Sequence, residues 1–137
     1  INNIMIKWFD YKGTISGKTY FLRTIITAMP AVALIVFLDD NYYAVLAVEA
    51  FLLYLLMSLR YKRVNAVFNE SLDLGKKLFF TSLIFDIALL IYGIIDIESY
   101  INDTYTTLDL ILGIPLFIFI MYITFKDSKI KRQDHKG

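Results

Sequence analysis

A chain of 137 residues that is 58% hydrophobic, with a mean hydropathy of +0.58, is too apolar to cover itself with the polar surface a small soluble domain needs. A net charge of +1 argues against nucleic acid as a partner. Without cysteine, disulfides and thiolate nucleophiles are excluded; the sole histidine, His135, sits in the polar tail, which argues against serine–histidine catalysis and histidine-rich metal sites, and no metal or cofactor is expected.

The first element in chain order is an aromatic and basic stretch. Ile4, Ile6, Trp8 and Phe9 suit the headgroup layer of a membrane, Gly13 turns the chain, and Ser16 is placed to cap a helix. Four apolar runs follow, at 20–38, 42–59, 78–95 and 108–125. Each is close to the ~20 residues that cross a ~30 Å hydrocarbon core as a helix. Lipid offers the backbone no hydrogen-bond partner, so a spanning segment of this kind must be helical. The runs lack the polar stripe at helical period that a soluble four-helix bundle would carry. Pro30 and Pro115 fall inside the first and fourth runs, where each removes a backbone donor.

Between the second and third runs, Tyr61, Val64, Val67, Phe68 and Leu72 recur at helical spacing. The pattern predicts a cytoplasmic amphipathic helix over 60–77, continuing from the second run or bent away from it, its basic face on anionic lipid and Gly75 as its C-cap. The tail at 126–137 is charged and is expected to fray.

The basic residues orient these elements. All 14 lie before or at the start of the first run, between the second and third, or after the fourth. The other two connections, Asp39-Asp40-Asn41 and 96–107, hold acidic residues and no basic one. By the positive-inside rule both termini and the middle connection face the cytoplasm. The expected fold is therefore all-α: one domain, a four-helix transmembrane bundle, N-in and C-in.

Two carboxylates interrupt the apolar runs. Glu49 stands roughly ten residues from Arg60 and Asp86 about nine from Lys77, which sets both roughly 14–16 Å above the inner boundary. A charge at that depth is costly and usually faces a bundle interior or a polar cavity. Glu49 and Asp86 are thus a candidate polar site, either for a proton or cation or for hydrogen bonds between helices to Tyr54, Thr81, Ser82 or Tyr92. Arg23, Arg60, Lys62, Arg63 and Trp8 are candidate contacts to lipid headgroups or to a partner.

The block from Trp8 to Phe21, with Gly13, Ser16 and Tyr20 at matching positions, resembles the opening of the bacterial inner-membrane family catalogued as domain of unknown function 805 (YhaH-like proteins). Lys62-Arg63-Val64-Asn65-Ala66 is similar to a reduced form of that family's Arg-Arg-Leu-His-Asp signature. Thr14, Gly17 and Thr19 replace two arginines and a glutamate of the family pattern, and Asn65-Ala66 replaces its His-Asp. The resemblance implies a multipass protein of the bacterial inner membrane. Three functions follow: a non-enzymatic accessory or scaffold binding lipid, other membrane subunits or itself; a small proton- or cation-linked carrier using Glu49 and Asp86; or an enzyme acting on lipid-linked substrates. The last has the least chemistry to draw on.

Overall fold

The computed structural model describes residues 7–38, 40–95, 107–128, 130 and 134–137. Among the described residues four long helices stand out: α1 (Gly17–Phe37), α2 (Tyr42–Val67), α3 (Leu72–Ile95) and α4 (Thr107–Phe125). Their 21, 26, 24 and 19 residues make each long and apolar enough to cross a bilayer. This is compatible with a small multipass membrane protein.

Local chemistry sets the helix ends. Ser16 caps α1, its hydroxyl accepting from Thr19 N–H at 3.2 Å. Asn41 caps α2 in the same way, accepting from Ala44 N–H at 3.2 Å, so the first turn needs only a few residues. Both prolines sit inside continuous helices, Pro30 in α1 and Pro115 in α4.

The segment between α2 and α3 follows expectation in part: it begins as a continuation of the second run, but no single helix spans 60–77. Instead α2 runs on to Val67, the chain turns at 68–71, and 72–77 is the first turn and a half of α3. The reason lies in where the apolar positions point. Val64 is fully buried, and Tyr61, Val67 and Phe68 pack against the same core, so this stripe faces the protein and not lipid. Gly75 caps nothing; it lies buried within α3, where an added Cβ would stand 2.8 Å from the Phe68 Cβ. That close approach lets α3 fold back tightly against the end of α2.

The helices form a ring in chain order. Each packs on the next, α4 closes onto α1, and α2 also touches α4 across the diagonal. The core is not centred along the bundle. Ile15, Tyr20, Met57, Leu59, Val64, Phe79 and Ile123 gather at the end where α1 and α3 begin and α2 and α4 finish. Here, the basic end. Toward the other end large side chains are bare: Val36 is 70% exposed, Phe37 83% and Ile95 77%.

The two terminal segments cover the basic end. Gly13, at φ +80°, turns the N-terminal segment as expected. Of the tail expected to fray, 129 and 131–133 lie outside the described residues, while its last residues are held in place. Gly137 N–H donates to Thr14 O at 2.9 Å, and Thr14 Oγ1 and His135 Nδ1 are 3.0 Å apart. Buried Ser128 adds to the same packing.

Candidate functional site

The polar chemistry of the chain is concentrated on the last three turns of α2, in two clusters. The first surrounds Arg60, whose side chain is almost fully buried. Its Nη1 donates to Ser82 Oγ at 3.3 Å and to Asp86 Oδ2, forming an ion pair with Asp86. Ser82 and Asp86 are four residues apart on α3, so both fall on one face and meet the same guanidinium. Ser82 in turn donates to Phe79 O at 2.7 Å. Tyr20 of α1, itself 4% exposed, closes the cluster beside Arg60, Asp86 and Thr24. Arg60 Nε and Thr24 Oγ1 are buried with no protein partner among the described residues.

The second cluster lies one turn further along. Arg63 Nε donates to Ile123 O, Nη1 to Ile15 O at 3.1 Å, and Nη2 to Lys126 O. One guanidinium thus satisfies terminal carbonyls of α4 that the helix itself leaves open, and ties them to the chain leading into α1. Its neighbour Lys62, fully buried, donates to Lys7 O and to Trp8 O (3.2 Å) and pairs with Asp10 at 3.0 Å. The Lys62 hydrogen bond, then the Lys12 backbone N–H, hold the Asp10 carboxyl below the usual carboxylate range. Arg23 lies 4.9 Å above the Trp8 ring, a cation–π geometry, and donates to Gly137 O at 3.2 Å.

The sequence-based candidates are therefore placed as follows. Asp86 meets Arg60, a partner not anticipated for it, and its charge is neutralised within the protein. Glu49 is half-buried on α2. It lies eleven residues before Arg60, about 20° from three whole turns, hence on the same face of α2 but about 16 Å further along the axis. Arg60, Lys62 and Arg63, expected at headgroups, point inward instead, because each reaches acceptors that only the folded chain supplies. Arg23 and Trp8 contact each other at the surface of the basic end. Among the described residues all three arginines are wholly or partly buried, while every lysine but Lys62 is exposed. The division follows from chemistry. A planar guanidinium with five donors can serve several carbonyls at once, whereas an ammonium stays better hydrated.

Sequence reasoning missed the Arg60–Asp86 pair and the tail docking. The pair was within reach of it: Arg60 is the deepest cation on α2, Asp86 the deepest acid on α3, and the helices are antiparallel. Nothing in the sequence flags Thr14 as the tail's receptor. Among the described residues no three of His, Asp and Glu converge as a metal ion would require. No protein family, no curated protein and no solved structure gives a match to this chain.

Proposed function

We propose that this chain is a multipass protein of the bacterial inner membrane, with both ends and the turn at 68–71 on the cytoplasmic side, and that it acts as a non-enzymatic accessory or scaffold binding lipid and membrane-protein partners. One observation carries the reading. The side chains best suited to chemistry, Arg60, Lys62 and Arg63, are spent on the chain's own carbonyls and carboxylates, while what is left outward is apolar helix surface and a rim of lysines. A protein built this way turns its three most deeply set cations inward and offers partners a surface. The orientation rests on the grouping of the basic residues. The resemblance of 8–66 to an inner-membrane family points to the same compartment.

The test has two parts. A cytoplasmic reporter fused after Gly137 should be active, and a periplasmic one inactive; the reverse result overturns the orientation. Extraction of the native membrane in mild detergent, followed by affinity purification and mass determination, should recover the chain with bound lipid or with a second membrane protein. Recovery of the bare monomer across several mild detergents would defeat the scaffold reading.

A further inference from the structure

Outside the polar clusters a groove runs between α2 and α3 with a volume of about 540 Å³, within the range of small-ligand sites. Its walls come from one stripe on each helix. Leu53, Met57 and Tyr61 line the α2 side, Phe80 and Leu83 the α3 side, and Tyr11 closes the basic end. The lining is apolar except for tyrosine hydroxyls. Toward the basic end its wall is a chain of edge-on ring contacts: Tyr11 on Tyr61 at 5.4 Å, Tyr61 on Phe79 at 5.1 Å, Phe79 on Phe80 at 5.6 Å.

We infer that this groove seats one acyl chain of an anionic phospholipid of the inner leaflet, with its phosphate held between Lys12 and Lys76 at the basic end. The inference rests on the bilayer placement proposed above and deepens it by naming the lipid and its site. Three observations converge. First, length: the α2 wall runs from Ala50 to Tyr61, eleven residues or about 16 Å, which is half of a ~30 Å hydrocarbon core and so the depth of one leaflet. Second, the walls are apolar along that depth, and Tyr54, 67% exposed, shows that the groove opens sideways into the surroundings of the bundle. Third, charge: Lys76 stands four, seven and eleven residues before Phe80, Leu83 and Ile87, on the same stripe of α3, and so crowns the groove. Lys12, exposed, follows in the chain on Tyr11, which closes the same end of the groove. Of the nearby acids, Asp10 is engaged by Lys62, and Asp73 lies one turn further out on α3, about 60° round from Lys76.

The experiment uses the full chain in nanodiscs and in mild detergent. Native mass spectrometry counts retained lipid as phosphatidylglycerol or phosphatidylcholine with matched acyl chains is added. Phosphatidylglycerol should bind at least about tenfold more tightly, since each lysine contributes about fivefold. Lys12→Gln with Lys76→Gln should bring the ratio close to one, and Lys18→Gln, away from the groove, should leave it unchanged. Leu83→Trp, filling the groove, should lower retention of both lipids, and millimolar inorganic phosphate should fail to displace the anionic one. Equal affinity for the two lipids, selectivity that survives loss of both lysines, displacement by free phosphate, or a groove variant that alters only dimerisation would each overturn the inference. Circular dichroism of every variant separates misfolding from lost binding, and Phe80→Tyr supplies a milder groove change if Leu83→Trp does not fold. Lost lipid selectivity with the reporter still cytoplasmic defeats this inference alone; a periplasmic reporter defeats the placement beneath it.

Discussion

The two ends of the bundle are built on different principles. At the basic end a compact core is overlaid by hydrogen bonds from Arg60, Lys62 and Arg63, which tie α2 to α3, to α4 and to the segments that precede α1 and follow α4. At the other end Val36, Phe37, Tyr43 and Ile95 are 70–83% exposed, and few side chains are buried among the described residues. The contrast suits the bilayer placement proposed above: burial among lipid tails would not distinguish helix from lipid, which leaves specificity to the polar contacts of the basic end.

That comparison can be broken most severely at Arg63. Its replacement by alanine strands three carbonyls and should cost about 3–5 kcal/mol, read as an earlier unfolding midpoint in detergent titration. Arg63→Lys should recover less than half, because an ammonium cannot serve three carbonyls in one plane. Asp86→Ala comes next, at about 3 kcal/mol, since it leaves Arg60 charged and buried. Arg60→Met combined with Asp86→Leu should restore most of that loss; a double variant as unstable as the sum of both single changes would refute the pairing. Gly75→Leu should cost about 1–3 kcal/mol through its clash with Phe68, and Phe68→Ala in the same chain should relieve part of it.

A gentler perturbation is pH. Burial first, and then the positive charge of Arg63, hold His135 below the ordinary histidine value, against the opposing pull of Asp134. The docked tail therefore binds fewer protons than the released one. Docking is complete above about pH 6.5 and weakens as pH falls through that value toward the depressed one. Hydrogen exchange at 134–137 should accelerate on acidification, and His135→Gln should abolish the dependence. The smallest effect belongs to the other end, where Phe37→Ala or Ile94→Ala should change stability by less than about 0.5 kcal/mol, because those side chains meet apolar surroundings whether or not the helices associate. A large loss there would erase the contrast.

How far the residues announce this arrangement varies along the chain. The helices are legible because an apolar run of spanning length has one way to satisfy its backbone, and Ser16 and Gly13 act through local geometry alone. The stretch at 60–77 misleads for a physical reason. A stripe of Tyr61, Val64 and Phe68 beside basic residues reads the same whether it faces lipid or a core, and only the packing of α3 and α4 decides. Asp86 is legible as an interior group, and the depth of Arg60 on the antiparallel α2 offers it a partner, but only the register of α2 on α3 decides that the two meet. The docking of 134–137 depends on tertiary contacts to Thr14, for which the sequence carries no period or motif.

The reach of Arg63 has a bearing on biogenesis. Two of its acceptors, Ile123 O and Lys126 O, belong to residues synthesised 60 and 63 positions after it. Until α4 has been made, the guanidinium lacks both of these acceptors and has only Ile15 O, upstream of it, to turn to. Its withdrawal into the protein thus waits on α4, and a chain stopped before that helix would leave the cation uncovered.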